Sequence, residues 1–193
     1  MAKLKINDAF DKIYCINLDK RTDRWEFAQA EFEKHGIVVE RVSAIEGGAY
    51  GLVETNKKIL QDAIDKCYNS ILILEDDVEF VEDLQTRFDE AYVHVPEHWD
   101  ILYFGGNHVW GRPETVNEYV GIAQRTLASH AIGYRQDAYQ KMLDRLDNSI
   151  PIDVTFSNSL LFFNAFIFMP HLAWQKAGHS DIINSHVDYD FLR

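Results

Sequence analysis

Cysteine is scarce in this sequence, with two thiols, Cys15 and Cys67, in 193 residues. No metal-ligand spacing joins them, which speaks against a thiolate metal site. Cys15 lies inside the apolar run Ile13-Tyr14-Cys15-Ile16 and reads as a buried structural thiol. Two isolated thiols fit a reducing compartment. Positive charge is also in deficit: 19 Lys and Arg stand against 31 Asp and Glu, a formal net charge of −12. That balance argues against a nucleic-acid partner, which calls for a basic face toward the phosphates, and against adsorption to an anionic membrane. No apolar run approaches the roughly 18 residues of a membrane span. Met1 to Asp11 mixes lysines and acids where a signal peptide is apolar. The expectation is a cytoplasmic protein with no transmembrane segment. Repeats, low-complexity tracts and linkers are missing too, so residues 1–193 are expected to form a single domain.

What is present is a globular composition, 47% hydrophobic and 26% charged. Strand and helix patterns alternate. Lys12 to Leu18 reads as a strand, and Trp25, Ala28 and Phe32 recur at helical spacing up to a C-cap at Gly36. Ile37 to Val42 reads as a strand, Ala44 to Gly51 as a glycine-rich loop, and Thr55 to Cys67 as an amphipathic helix. Ser70 to Leu74 is a buried strand. Leu84 to Tyr92 suggests a helix stopped by Pro96, and Ile101 to Phe104 a strand ending in Gly105-Gly106. A meander over 119–134, a helix from Asp137 to Leu146 and a strand near Leu161 to Met169 complete the pattern. This alternation predicts an α/β fold with a mainly parallel, Rossmann-like central sheet flanked by helices. Ligands in such folds gather at the carboxyl ends of strands.

Glu75-Asp76-Asp77 follows directly on the apolar run Ile71-Leu72-Ile73-Leu74. Three acids crowded at a buried strand end are unfavourable unless a cation joins them. If extension persists, Glu75 and Asp77 share one side and Asp76 takes the other. Two carboxylates on one side suit a hard cation, Mn²⁺ or Mg²⁺, that itself holds a diphosphate. The same acids also suit a helix N-terminus near Val81-Glu82-Asp83. The first strand leads into Asn17-Leu18-Asp19-Lys20-Arg21-Thr22-Asp23-Arg24, where two arginines offer planar forks to phosphate, or alternatively pair with nearby acids.

Together, Ile16 to Arg24 and Leu72 to Val78 resemble the family 25 glycosyltransferases, which include bacterial lipopolysaccharide biosynthesis enzymes and collagen galactosyltransferases. Ser43-Ala44-Ile45-Glu46-Gly47, Ala131-Ile132-Gly133-Tyr134, Ile152-Asp153, Pro170, Gln175 and Ser180-Asp181-Ile182 continue the resemblance in order along the chain. It implies a GT-A-like fold, a UDP-sugar donor (galactose or glucose) and inverting transfer to a hydroxyl of a glycan, lipid-linked or protein acceptor. It places Asp77 and Glu75 on the metal, and Asn17, Leu18, Arg21, Arg24, Glu75, Asp76, Ser180 and Asp181 around the donor. Asp153 is the candidate general base; aspartate also suits the N-cap of a short helix over Thr155 to Leu160.

One departure stands out. Where the family carries Gly-x-x-x-Ser-His, this chain has Gly51-Leu52-Val53-Glu54-Thr55-Asn56, and asparagine cannot carry a proton as histidine does. A non-catalytic nucleotide-sugar-binding module is therefore one alternative, and a metal-dependent phosphohydrolase using the same acids is another. His94 and His98 are split by Pro96, while His179 and His186 flank Ser180-Asp181. Trp99, Tyr103, Trp110 and Trp174 suit either sugar stacking or core packing.

Overall fold

The computed structural model describes residues 3–108, 111–180 and 185–188. A one-turn helix, α1 (Ile6–Ala9), precedes β1 (Lys12–Asn17), α2 (Thr22–His35), β2 (Glu40–Ser43), α3 (Ala49–Asp65) and β3 (Ser70–Glu75). The chain continues through β4 (Val78–Phe80), α4 (Leu84–Tyr92), β5 (Ile101–Tyr103), β6 (Asn107–His108), β7 (Glu114–Thr115), β8 (Val120–Ile122), β9 (Thr126–Leu127) and β10 (Ala131–Arg135). Then come α5 (Gln136–Leu143), α6 (Ile152–Ser159), a 3₁₀ turn (Leu160–Phe162), β11 (Ala165–Phe168), β12 (Ala173–Gln175), β13 (Gly178–Ser180) and β14 (Ser185–Val187).

The central sheet has eight strands in the order β2-β1-β3-β10-β5-β11-β8-β7. Only β10 and β8 run against the common direction. The sheet is thus mainly parallel, as the alternating pattern predicts. Side chains alternate across each strand, so Leu72 and Leu74 enter one core and Ile71 and Ile73 the other. The first core gathers Phe32, Phe88, Trp99 and Phe104; the second gathers Leu60, Tyr134, Tyr139 and Phe156. A strand covered on both faces needs apolar residues at every position, which is why β3 reads as an unbroken run. Among the described residues no helix is long and apolar enough to cross a membrane.

Element ends differ from the sequence reading where tertiary contacts intervene. Gly36 caps α2 with φ 65°, and the Ile37 N–H reaches back to the Phe32 carbonyl. Ile37 is therefore spent on closing the helix, and pairing in β2 begins at Glu40, opposite Tyr14. The loop expected up to Gly51 ends sooner, because α3 starts at Ala49. Its first turns take the preceding loop as a packing partner: the Ile45 N–H donates to Thr55 Oγ1, and a Cβ at Gly51 would stand 1.9 Å from the Ile45 carbonyl oxygen. Gly51 permits an approach that helical periodicity cannot reveal. The strand expected near Leu161 to Met169 is confined to Ala165–Phe168, where it registers with β5. Asn164 ahead of it is held by the buried Asp100 carboxylate.

Two predictions follow from this packing. Gly51→Ala should cost about 1–3 kcal/mol by forcing the loop off the helix. Gly178→Ala, where nothing lies within 4 Å of the added carbon, should stay within about 0.5 kcal/mol of the parent; urea unfolding of both measures the contrast. The second concerns His130, which is buried, donates from Nε2 toward the Ala173 carbonyl at 3.3 Å and is pushed down to about 4 by burial. The folded chain then binds fewer protons here than the unfolded one, whose histidine titrates near 6.5. Stability relative to His130→Leu should be constant above about pH 6.5 and fall as pH drops toward 4. A difference independent of pH contradicts this.

Candidate functional site

β1 ends at Asn17 and β3 at Glu75, side by side at the carboxyl edge of the sheet. Between the loops that follow them lies a cleft of about 710 Å³, lined by Ile16, Asn17, Leu18, Arg24, Glu75, Asp76 and Asp77 on the strand side. Ala44, Ile45, Gly48 and Leu52 form the opposite wall, and Gln175 and Ser180 close one end.

The electrostatics centre on Arg24. Its Nη1 donates to Asp76 Oδ1 at 2.7 Å and lies 3.3 Å from Asp77 Oδ2, while Nη2 donates to the His179 carbonyl at 2.8 Å. Asn17, itself buried, donates to Asp76 Oδ2 at 2.6 Å and accepts from Arg41 Nη2 at 2.6 Å and Nε at 3.0 Å. Both Asp76 oxygens are thus engaged. The expected alternation of the three acids does not hold. The strand ends at Glu75 and the chain turns, so Asp76 and Asp77 share Arg24 while Glu75 accepts from Ser129 Oγ at 2.5 Å.

Burial pushes Glu75 up to about 8, with the Asp77 charge adding and the Ser129 bond opposing. Asp77 is pushed up to about 6 by burial, against the pull of Arg24. Burial acts to lower Arg24 as well, but Asp77 and Asp76 outweigh it and keep the guanidinium firmly charged. With Arg24 as the one cation lining the cleft beside Glu75, Asp76 and Asp77, the site is short of positive charge. Asp77 Oδ1 is buried with no hydrogen-bond partner, an acceptor that suits a cationic ligand. Among the described residues no group of three or more His, Cys, Asp or Glu side chains is arranged to hold a metal. A hard cation here would complete its shell from phosphate oxygens and water, the usual manner of Mg²⁺.

Other expected residues fall nearby. Arg21 pairs with Asp23 through two 2.9 Å bonds and lines an adjoining hollow with Phe27 and Lys176, not the cleft itself. Ser180 lines the cleft and also a second cavity of about 1040 Å³, where Asp153, Glu75, Ser129 and Asn107 meet. Asp153 stands in the first turn of α6 rather than at its N-cap, which is Pro151, and its Oδ1 accepts from the Val154 N–H at 2.8 Å. Asp181, Ile182 and Trp110 lie outside the described residues.

Asn56 is buried, donates to the Leu52 carbonyl at 2.9 Å and is not among the residues lining the cleft. His94 stacks on Tyr119 and His98 meets Phe166 edge-on, so that pair forms no site. His179 and His186 face each other across the β13–β14 pairing. Trp99 and Tyr103 are buried in the two cores, while Trp174 lines a separate hollow. The residues that escaped the sequence reading are Ser129, which holds Glu75, and Arg41, which orients Asn17. Neither sits in a motif, and only the β1–β2 and β3–β10 pairings bring them in.

No protein-family model and no curated protein matches the chain. Among solved structures, A197 from STIV is similar with a TM-score of 0.51 at 13% identity, covering 91% of this chain and 92% of that one. A glycosyltransferase involved in glycosylating the major capsid of PBCV-1 is similar with a TM-score of 0.50 at 13% identity, covering 78% and 76%. At such identities the likeness concerns the fold, which is GT-A-like: a mainly parallel α/β sheet flanked by helices.

Removing Arg24 tests the electrostatic account. Arg24→Met should destabilise the chain by about 3 kcal/mol, because it leaves Asp76 buried and without its charge partner. Chemical unfolding near pH 7 measures this; a loss below about 0.5 kcal/mol would mean the pair behaves as an exposed one.

Proposed function

We propose that this chain is a family 25-like glycosyltransferase, a single-domain cytoplasmic enzyme that moves galactose or glucose from a UDP-sugar to a hydroxyl acceptor. The observation that carries the reading is the junction of two cavities at Glu75: one holds the Arg24–Asp76–Asp77 cluster, the other holds Asp153. A transferase needs this arrangement, a phosphate-handling side and an acceptor side meeting at the reacting carbon. The acceptor class is a glycan, lipid-linked or protein hydroxyl, as in lipopolysaccharide biosynthesis.

On the donor side, Asp76, itself held by Asn17, keeps Arg24 beside the cleft, where its fork suits the diphosphate. Leu18 and Ser180 shape the nucleotide's surroundings, with Asp181 assigned beside Ser180 by the resemblance. Asp77 and Glu75 are the residues that would hold Mn²⁺ or Mg²⁺, and the orphaned Asp77 oxygen fits that role. Such an ion, when bound, offsets charge on the departing UDP. On the acceptor side, Asp153 takes the hydroxyl proton as the oxygen attacks the anomeric carbon from the face opposite the diphosphate. Ser129 fixes the Glu75 carboxyl between the two sides.

The test is calorimetry with a panel of nucleotide sugars, in Mn²⁺ and then in excess chelator. One UDP-hexose should bind only with the cation, and Asp77→Asn should abolish that binding. Asp153→Asn should keep donor affinity and lose about 10²–10⁴-fold in transfer rate. Release of UMP and sugar 1-phosphate, or of phosphate, to water without any acceptor would indicate a phosphohydrolase. Binding of no nucleotide sugar under any condition would remove the transferase reading.

A further inference from the structure

The β6–β9 ribbon has two faces. Asn107 pairs with Leu127 and His108 with Thr126, so alternate residues point to opposite sides. Asn107 and Leu127 line the cavity that contains Asp153. His108 lines a different hollow of about 1030 Å³, shared with His171, Trp174 and Met169.

His108 and His171 meet there through their Nε2 atoms, 3.1 Å apart. Their ring centroids are 5.2 Å apart and the planes are inclined by 63°, so the rings meet edge-on and do not stack. On its other side, His108 Nδ1 lies 3.2 Å from Oγ1 of Thr126, a residue with no exposed surface. A proton donated along that contact leaves the His108 lone pair on Nε2, the way an outer hydrogen bond sets the tautomer of a ligating histidine. Burial lowers both imidazoles from the ordinary histidine range, His171 to about 4 with repulsion from His108 contributing. Both shifts favour the neutral form, which offers lone pairs.

We propose that His108 and His171 form a binding site for a transition-metal ion of the Zn²⁺ class, separate from the carboxylate cluster around Asp77. Two nitrogens each about 2.05 Å from one tetrahedral ion stand roughly 3.3 Å apart, close to the separation already present. Imidazole pairs favour Zn²⁺, Co²⁺, Ni²⁺ or Cu²⁺ over Mg²⁺, the reverse of an all-oxygen site. Water supplies the remaining positions, since among the described residues no third His, Cys, Asp or Glu side chain joins the pair as a ligand. A bound ion ties the β6–β9 ribbon to the segment between β11 and β12, and so stiffens the wall of the Asp153 cavity from behind. Without metal, one N–H shared between the two imidazoles accounts for the same contact, and the two states are distinguishable.

The experiment is titration of the full chain with Co²⁺ in the presence of excess Mg²⁺, followed by visible absorbance and then by Zn²⁺ competition. One equivalent of Co²⁺ should give the ligand-field bands of a nitrogen-ligated centre, displaced by Zn²⁺. The bands should vanish in His108→Ala and in His171→Ala and persist in Asp77→Asn. His171→Gln answers the same question if the alanine variant does not fold. Zn²⁺ should also raise the melting temperature of the parent and not of the histidine variants. The proposal is overturned by no Co²⁺ uptake in the folded parent, by uptake unaffected in the histidine variants, or by uptake lost in Asp77→Asn. None of these readouts depends on sugar transfer, so the site stands or falls apart from the function proposed above.

Discussion

Three carboxylates crowd the end of β3, Asp76 and Asp77 buried and Glu75 partly so, and the carboxyl edge of the molecule is organised around that burden. Desolvation disfavours each charge, and each charge disfavours its neighbours. The fold answers with one guanidinium reaching in from α2 to Asp76, whose other oxygen is held by the buried amide of Asn17, which Arg41 holds from β2 in turn. Three consecutive parts of the chain are thus bound to one acidic point. The compensation is incomplete, because Asp77 retains an oxygen with no partner. An unfinished network of carboxylates is costly for stability alone, and a charged ligand that completes it removes that cost.

The sheet explains why this point faces two cavities rather than one. β3 lies between parallel β1 and antiparallel β10. The loop after β1 therefore leaves toward one side of Glu75, and the segment entering β10, with Ser129 and His130, arrives from the other. The return of the chain through β12 and β13 sets Gln175 and Ser180 where the cavities join. The reversed strand is what places a hydroxyl from a different part of the chain against the last residue of β3. In an all-parallel sheet that position would be taken by another strand end.

Much of this was legible in the residues. The unbroken apolar run before Glu75 could only be a doubly covered strand, and acids at its end marked the edge where ligands gather. Gly36 announced the end of α2 because few residues other than glycine take a positive φ without strain. The alternation of periods told an α/β fold from an all-α one. Less was legible where one residue serves two levels of structure. Gly51 weakens the helical pattern and yet lies inside α3, since the loop carbonyl above it leaves no room for a Cβ. Asp153 read as a candidate base or as a helix cap, and only the structure sets it within the first turn of α6 beside a cavity.

The sequence by itself determined which strands are buried, which acids are clustered and where the basic turn lies, because these depend on neighbours a few residues away. It did not determine that Asp76 and Asp77 would share Arg24, that Ser129 would hold Glu75, or that His108 would meet His171. Those contacts join residues separated by 52, 54 and 63 positions. Only the strand order and the turn after β3 bring such pairs together, since hydrogen bonds and ion pairs act over a few ångströms of space and carry no trace of themselves along the chain.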